Sequence, residues 1–372
     1  MKPVPPASPG LTLAEVDTPA LIIDLDAFER NLRRLADAVA GSGVRVRAHA
    51  KTHKCAEIAR RQVAAGAIGV CCQKVAEAEA MVEGGIADVL ISNEIVGAKK
   101  LARLAALARH ARIGVCVDDA RNLLDLREAA ARAGVTLDVY VEIDVGARRC
   151  GVAPGEAALA LAREAARGAN LRFAGLQAYH GPAQHLRGND ERRAEIERAA
   201  AAVRQTRSLI EASGIACETV TGAGSGSFMF EVGSGAWDEI QPGSYIFMDA
   251  DYARNEWSAP LPRFEHALFV LAGVMSRPGP DRAVLDAGLK ASSVDAGLPT
   301  LWQRPGIACV RLSDEHAVLE ISRGAAPPAL GEKILLVPGH CDPTVNLHDY
   351  YVCMRGGLVE ALWPIEARGA IS

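Results

Sequence analysis

The sequence lacks any stretch of about eighteen apolar residues, so it predicts no membrane-spanning helix. It also lacks a long block of like charge, because a formal net charge of −4 is spread over 372 residues. This argues against nucleic-acid and membrane-surface partners. A secretory signal has a basic segment followed by an apolar one, and the Pro-rich residues 1–10 do not show this pattern. We therefore expect a cytoplasmic protein.

The sequence contains nine cysteines, and the pair Cys71-Cys72 does not have the spacing of a zinc site. Cys71 and Cys72 are adjacent, and neighbouring residues of a strand point to opposite faces. Several cysteines, including Cys116, lie in apolar runs, where buried free thiols are common. Without a secretory signal we expect reduced cysteines rather than disulfides. About half of the chain is apolar, which is enough for a large core without crosslinks.

A chain of this length is long for one domain and comfortable for two. Its middle part alternates short apolar runs with stretches of helical period, of which 189–213 is the clearest helix. Eight runs are typical of buried parallel strands: 44–49, 67–72, 88–93, 112–118, 138–144, 172–179, 217–221 and 240–247. Eight strand–helix units predict a (β/α)8 barrel, with an open doubly wound sheet as the main alternative.

From about residue 264 the pattern changes to short alternating runs without long helices. It predicts a separate, mostly antiparallel β domain over 264–372, following a barrel over 26–263. The runs lie at 264–275, 282–286, 306–312, 317–321, 333–337 and 352–362. The apolar run 20–25 precedes the eight barrel strands and is not needed to complete the barrel. We therefore assign residues 17–25 to the β domain. Asp24 or Asp26 caps the helix that follows.

Polar residues cluster at the ends of the proposed barrel strands, where the loops of such a barrel carry active sites. They include Lys51, Gln73, Asn93, Glu94, Asp118, Asp144, Arg148, Arg149, Tyr179, His180, Thr221, Gly243 and Ser244. A lysine in this position forms a Schiff base, contacts a phosphate or is simply solvated. For a Schiff base the amine must be neutral, and the nearby Arg47, Lys54 and protonated His49 or His53 would depress its pKa. The same residues would also suit a basic surface turn.

The seventh predicted strand leads into a segment rich in glycine and hydroxyl side chains, residues 221–227. Gly243 and Ser244 lie at the end of the eighth predicted strand. Glycines let backbone N–H groups approach an anion, and the loops after strands seven and eight of a barrel are the usual phosphate site. We therefore predict a phosphate-binding cup, against the alternative of glycine-rich turns needed only for geometry.

Two groups of residues are candidates for metal and proton chemistry. His340 and Asp342 could share a divalent cation, although this spacing also suits a structural turn. Cys341 between them is a ligand for a softer metal such as zinc. His180 and His185 lie just past strand six, and either is a candidate general base.

These segments together resemble the D-threonine aldolase and 3-hydroxyaspartate aldolase family. The likeness runs in order from about residue 17 to residue 368 and is far more specific than any single motif. It includes Asp17-Thr18-Pro19, His49-Ala50-Lys51-Thr52-His53-Lys54-Cys55, Cys71-Cys72-Gln73-Lys74-Val75, Arg149-Cys150-Gly151-Val152, Tyr179-His180-Gly181, Gly243-Ser244-Tyr245, Leu285-Asp286 and His340-Cys341-Asp342-Pro343-Thr344.

The resemblance implies the alanine racemase-like fold of type III pyridoxal phosphate enzymes, a homodimer and a divalent metal. It implies that Lys51 carries pyridoxal phosphate as a Schiff base and that His185, rather than His180, is the base. The residues implied to bind the phosphate are Ser225, Gly243 and Ser244. Those implied to line the cofactor are Gln73, Tyr179, Thr221 and Arg149, the last as partner of the pyridine nitrogen. The implied metal ligands are His340 and Asp342.

The implied reaction is retro-aldol cleavage of a β-hydroxy-D-amino acid, with D-threonine giving glycine and acetaldehyde. The His340-Cys341-Asp342 spacing favours Mn²⁺ or Mg²⁺, whereas Cys341 keeps Zn²⁺ as an alternative. Relatives cleave or dehydrate 3-hydroxyaspartate, and the dehydratase branch tends to have His-x-Cys as its metal pair. A second substrate carboxylate needs a cation, for which Arg148 and Arg254 are candidates. A non-catalytic pyridoxal phosphate carrier is disfavoured because such proteins lack a second domain.

Overall fold

The N-terminal strand leads directly into a capped helix. The structure is a computed structural model that describes residues 4–372. Strand β1 (Ala20–Asp24) is followed by helix α1 (Leu25–Val39), and the Asp24 carboxylate accepts a 3.0 Å hydrogen bond from the N–H of Ala27. Asp24, rather than Asp26, is therefore the cap. Helix α1 buries an apolar face that includes Phe28 and Leu35.

Eight parallel strands close into a barrel, which confirms the predicted (β/α)8 architecture and excludes the open doubly wound sheet. They are β2 (Arg45–His49), β3 (Gly69–Cys72), β4 (Asp88–Glu94), β5 (Arg112–Val117), β6 (Leu137–Glu142), β7 (Leu171–Ala178), β8 (Thr219–Gly222) and β9 (Glu239–Ile240). Pairing of β9 with β2, with Glu239 opposite Arg45, closes the ring.

Helices follow the barrel strands along the chain. They are α2 (Ala56–Ala64), α3 (Val75–Glu83), α4 (Ala98–Leu107), α5 (Ala120–Ala133), α6 (Glu156–Ala166), α7 (Asn189–Ala212), α8 (Phe228–Ser234) and the short α9 (Ala250–Ala253). The predicted helix 189–213 corresponds to α7. Short 3-10 helices lie at Leu13–Glu15, Ala50–Thr52, Pro182–His185 and Ser244–Ile246. Three of these follow barrel strands and carry Lys51, His185 and Ser244.

The eighth barrel strand is much shorter than the predicted 240–247, so that prediction was wrong in extent. The ladder ends at Ile240. Pro242 has no N–H to continue it, and the chain then turns at Gly243 into the 3-10 helix Ser244–Ile246. Gly243 and Ser244 consequently lie in the loop beyond the strand.

The remaining strands form a mostly antiparallel sheet of nine strands that includes β1. They are β10 (Leu268–Gly279), β11 (Arg282–Leu285), β12 (Thr300–Leu301), β13 (Ile307–Leu312), β14 (Ala317–Ile321), β15 (Lys333–Val337), β16 (Tyr350–Arg355) and β17 (Leu358–Pro364). β1 pairs antiparallel with β10 and parallel with β16. Helix α10 (Cys341–Val345) separates β15 from β16. The domain boundaries at 25/26 and 263/264 stay predictions.

The predicted run 352–362 is two strands rather than one. β16 and β17 are joined at Gly356 and Gly357, whose φ angles of 57° and 83° suit a tight hairpin turn. The sequence pattern missed this turn because apolar residues continue on both sides of it.

Buried apolar side chains join the barrel and the sheet into one core. A single cluster contains Phe28 of α1, Val70 of the barrel and Val270 and Tyr351 of the sheet. This shared core holds the loop after β15 against the mouth of the barrel. All nine cysteines are free, as predicted. Within residues 4–372, no helix combines the length and apolarity needed to cross a bilayer.

Candidate active site

A cavity at the mouth of the barrel brings together most of the residues predicted for the site. The predicted residues that line it are Lys51, Gln73, Arg149, Tyr179, His185, Ser225, Gly243, Ser244, His340 and Asp342. They come from the barrel loops and from the loop after β15. The cavity is therefore built where the barrel meets the β sheet.

Lys51 reaches the cavity from the 3-10 helix that follows β2. Its Nζ lies 3.7 Å from Oδ2 of Asp342, and about a third of its side chain (36%) is exposed. Burial lowers the pKa of Lys51, but the negative charge of Asp342, helped by Tyr179 and Glu77, outweighs it, and the pKa is raised. The expected depression by neighbouring cations is therefore wrong. Arg47 is held beneath the cavity by two carboxylates, and Lys54 is paired with a glutamate 2.6 Å away.

The two histidines beside Lys51 do not supply positive charge either. Burial lowers the pKa of His49 well below its usual range and that of His53 to about 4. His49 lies on the cavity wall, with Nε2 3.0 Å from the Gln73 amide nitrogen and 3.3 Å from the Ser92 hydroxyl. Both rings are neutral at physiological pH, and His49 fixes the side chain of Gln73.

The two predicted phosphate loops come together on one side of the cavity. The Ser225 hydroxyl accepts a 2.9 Å hydrogen bond from the N–H of Tyr245, which joins the loop after β8 to the loop after β9. A Cβ at Gly243 would lie 2.5 Å from Oγ1 of Thr52, and one at Gly224 would lie 2.5 Å from Oε1 of Gln184. A side chain at either position would therefore force a neighbouring side chain to move.

The chemistry of this cup fits a phosphate. The Thr52 hydroxyl is buried and has no hydrogen-bond partner among residues 4–372, yet it lines the cavity beside Gly243. Ser225 and Ser244 add hydroxyl donors, and bare glycine backbone lets N–H groups approach an anion closely. Together with Lys51, these residues suit pyridoxal phosphate.

Thr221 lies one layer behind the cavity wall. It is fully buried, donates a 2.7 Å hydrogen bond to Glu239 and accepts one of 2.7 Å from the Gln241 amide. Gln241 and Gln177 line the cavity in its place. Gln177 could have been found from the sequence, because in the predicted strand 172–179 it lies on the same face as Tyr179, two residues later. Gln241 is missed because the predicted strand 240–247 includes it, so it is not recognised as a residue at the strand's end.

Arg149 lies between the cavity and a buried acidic group. Its guanidinium stands 5.8 Å from the centre of the Tyr179 ring, and its Nη2 is 3.8 Å from Oε1 of Glu142. Burial and the nearby Glu94 charge raise the pKa of Glu142 to about 8. The predicted contact of Arg149 with a pyridine nitrogen stays a prediction.

The structure places His185 at the cavity and His180 away from it. His185 ends the 3-10 helix Pro182–His185 and is about half exposed, with Nδ1 2.6 Å from Oδ2 of Asp251. His180 is buried, with Nε2 3.6 Å from Glu195. Asp251 was not predicted, and it carries no sequence signal, since it contacts His185 across 66 residues of chain.

His340 and Asp342 form a pair with ligand atoms directed at each other. Nε2 of His340 lies 4.0 Å from Oδ1 of Asp342, and that oxygen is buried without a hydrogen-bond partner in the described chain. Nδ1 of His340 lies 2.8 Å from Oδ2 of Asp295, a residue that the sequence did not predict. One imidazole nitrogen and one carboxylate oxygen suit a divalent cation.

Cys341 stands apart from this pair. Its thiol is buried, donates to the carbonyl oxygen of Met248 at 3.3 Å and is not among the residues lining the cavity. Burial raises the pKa of this thiol well above its usual range. The thiol is therefore poorly placed to bind zinc as a thiolate.

Comparisons with known proteins agree with this geometry. Residues 23–251 match the family described as alanine racemase, N-terminal domain, and residues 267–354 match the putative serine dehydratase domain. The chain is 52% identical to a D-threonine aldolase of Arthrobacter sp, over 98% of this chain and 96% of that protein. It is 47% identical to a 3-hydroxy-D-aspartate aldolase of Paracoccus denitrificans (strain Pd 1222), over 98% and 95% of the two chains. A crystal structure of D-threonine aldolase from Filomicrobium marinum, 55% identical, superimposes with a TM-score of 0.97 over 100% of both chains.

Proposed function

This chain belongs to the D-threonine aldolase and 3-hydroxyaspartate aldolase family of alanine racemase-like proteins, and we propose that it cleaves β-hydroxy-D-amino acids, D-threonine giving glycine and acetaldehyde. It is thus a carbon–carbon lyase. One observation carries the proposal: Lys51 and the His340–Asp342 pair face one cavity, with 3.7 Å between Lys51 Nζ and Asp342 Oδ2. The lysine would act at the substrate's amino group on the α-carbon. The cation site would act at the hydroxyl on the adjacent β-carbon.

Pyridoxal phosphate fits the cavity through the chain's own residues. Lys51 would hold it as a Schiff base, and Ser225, Gly243 and Ser244 would hold its phosphate. The Thr52 hydroxyl beside them has no hydrogen-bond partner among residues 4–372. Gln73, Arg149 and Tyr179 would line the cofactor ring. Thr221 would contribute indirectly, through its hydrogen bond with the side chain of Gln241. When bound, this cofactor draws electrons away from the substrate's α-carbon.

A divalent metal would be held by His340 and Asp342. It would act as a Lewis acid on the β-hydroxyl and make its proton easier to remove. We propose Mn²⁺ or Mg²⁺, because the ligands are imidazole and carboxylate and the Cys341 thiol is engaged by a backbone carbonyl. Zn²⁺ is the alternative.

His185 would remove the hydroxyl proton. Its ring lines the cavity together with Lys51 and His340, whereas His180 lies outside it. Taking the proton leaves the electron pair on oxygen to form the aldehyde carbonyl as the Cα–Cβ bond breaks. The electron pair of that bond stays with the α-carbon, which takes up a proton to give glycine.

An uncharged β-substituent is favoured over a carboxylate. Arg254, a candidate contact for the second carboxylate of 3-hydroxyaspartate, donates instead to Asp251 and to the carbonyl oxygen of Ala296. Arg148 sits in a turn with a φ of 51°, and it is not among the cavity-lining residues. We therefore place D-threonine ahead of 3-hydroxyaspartate. Dehydration is third, because His340 is followed two positions later by an aspartate rather than a cysteine.

A substrate panel tests the proposal. Purified protein with added pyridoxal phosphate is incubated with D-threonine, L-threonine and D-3-hydroxyaspartate, and glycine is measured with Mn²⁺ or with a chelator. We expect glycine from D-threonine, dependence on metal and loss of both activity and the cofactor's Schiff-base absorbance in Lys51→Ala. Unchanged activity in Lys51→Ala, or a keto acid and ammonia as products, would overturn the assignment.

We further propose that the enzyme works as a homodimer on its free amino-acid substrate. The support is the resemblance to the family. Light scattering of the eluted protein should give twice the chain mass of 39.2 kDa. A mass of one chain under assay conditions would contradict the proposal.

A further inference from the structure

We infer that Asp251 is a positioning residue for His185, holding the ring so that Nε2 rather than Nδ1 receives the proton of the substrate hydroxyl. The inference rests on the proposed function and assigns a part of the site that the sequence did not predict. It concerns how the base is oriented, and it holds for any substrate whose hydroxyl proton His185 removes.

The geometry around His185 fixes the ring from two sides. Nδ1 lies 2.6 Å from Oδ2 of Asp251, which is buried with 5% of its surface exposed. The Tyr252 ring packs against the imidazole, with 5.4 Å between the ring centres. Asp251 and Tyr252 both belong to α9, so one short helix supplies the hydrogen bond and the packing surface.

Two arginines keep the Asp251 carboxylate charged. Oδ1 accepts hydrogen bonds from Arg187, at 2.6 Å, and from Arg254, while Oδ2 faces His185. Burial raises the pKa of Asp251, but the hydrogen bonds from Arg187, Arg254 and His185 outweigh this and lower it to about 2. The carboxylate is therefore ionised at physiological pH and can only accept a hydrogen bond.

An ionised acceptor determines which ring nitrogen of His185 carries the proton. A neutral imidazole next to it bears hydrogen on Nδ1, which leaves the lone pair on Nε2. In the proposed step the substrate O–H bond breaks and an Nε2–H bond forms. The resulting imidazolium donates from both nitrogens, and Asp251 stabilises its charge without itself taking up a proton.

A purely structural role for Asp251 is the competing explanation. Arg187 also donates to the backbone carbonyl of Asp251 and to Asn255, and these hydrogen bonds hold the loop after β7 against α9. A residue that only holds this loop in place would affect the activity whether or not His185 is present. A positioning residue would matter only when the histidine is there to be positioned, and this difference can be measured.

The test is a double-mutant cycle with Asp251→Asn and His185→Ala in the holoenzyme with Mn²⁺. Asn preserves the size of the side chain but removes the charge and can present a donor to Nδ1. We expect the rate of glycine formation (kcat) to fall about 10²-fold or more in Asp251→Asn with a smaller change in KM. In the His185→Ala background the same substitution is expected to change kcat less than about twofold. Additive losses, or full activity of Asp251→Asn, would overturn the inference.

Glu195→Gln is the matched control, because it changes a carboxylate beside the other histidine of the loop, His180, outside the cavity. It should leave kcat unchanged. If Asp251→Asn does not fold, Arg254→Gln replaces it in the cycle, since Arg254 is half-exposed and acts on the same carboxylate. Wild-type protein that yields no glycine would contradict the proposed function, whereas an active wild type with additive losses contradicts the role of Asp251 alone.

Discussion

Oδ2 of Asp342 lies 3.7 Å from Nζ of Lys51, and this contact joins the two halves of the site. Lys51 comes from the first barrel loop, whereas Asp342 comes from the loop after β15. The other oxygen of Asp342 is buried without a partner in the described chain and lies 4.0 Å from His340 Nε2. The β domain thus contributes the proposed metal pair to a cavity whose other walls come from the barrel loops.

Replacing Asp342 by Asn should separate metal binding from cofactor binding. We expect Asp342→Asn to lose its bound divalent metal while keeping the cofactor absorbance, and kcat to fall by about 10²–10³-fold, equivalent to several kcal/mol. Metal analysis and absorbance of the same sample measure both. Asp349→Asn is the control, since Asp349 is paired with Arg368 on the surface. A metal-free but fully active Asp342→Asn would refute the assignment of the pair.

Asp295 should act on the metal through His340. Its Oδ2 lies 2.8 Å from Nδ1 of His340, an arrangement that orients a ligating imidazole. We expect Asp295→Asn to weaken metal affinity by roughly 10–100-fold, and excess metal to restore the activity. Activity titrated against free Mn²⁺ measures this. A variant whose activity stays low at saturating Mn²⁺ would show that Asp295 does something else.

The barrel and the position of Lys51 could be predicted from the sequence because they depend on local patterns. Strand-end residues of a barrel meet at one face, so Lys51, Tyr179 and Gly243 were identified without knowing their contacts. Asp251 and Asp295 could not be found in this way. Each contacts its histidine across tens of residues, 66 and 45 respectively, and nothing near either residue marks it.

The same limit explains why the sequence predicts the wrong electrostatic surroundings for Lys51. Arg47 and Lys54 lie close to Lys51 in the chain, a pattern that predicts uncompensated positive charge. Their counter-charges come from other elements: Glu239 and Asp88 for Arg47, and Glu77 for Lys54. Sequence proximity reports which charges are near but not which of them are already neutralised.

The phosphate cup should be sensitive to a single added methyl group. A Cβ at Gly243 would stand 2.5 Å from Thr52 Oγ1 and 3.2 Å from the His49 Cβ, so Gly243→Ala must push the loop out of place. Overpacking of this kind costs about 1–3 kcal/mol, which predicts roughly 10–100-fold weaker cofactor affinity. Titration of the apoenzyme with pyridoxal phosphate measures it. Gly233→Ala is the matched control, because a Cβ there meets nothing within 4 Å; equal affinity in both variants would contradict the cup.

Glu231 should make stability fall as pH rises. It is buried behind the loop 221–227, where one carboxylate oxygen accepts a 2.8 Å hydrogen bond from Ser227 and the other has no partner within the described residues. Burial raises the pKa of Glu231 to about 7. Between the unfolded pKa, about 4.3, and this value, the folded chain holds a proton that the unfolded chain has released. Raising the pH through that window therefore removes stability, on the order of 3–4 kcal/mol.

Gln at position 231 cannot ionise, so Glu231→Gln should remove this loss. The melting temperature of the holoenzyme, followed between about pH 5 and pH 8, is expected to decline less in the variant than in the wild type, and the variant should be the more stable protein at the alkaline end. Glu197→Gln, on the exposed face of α7, should leave the wild-type curve unchanged. If Glu231→Gln follows the wild-type curve at every pH, Glu231 is not the group that carries the buried proton.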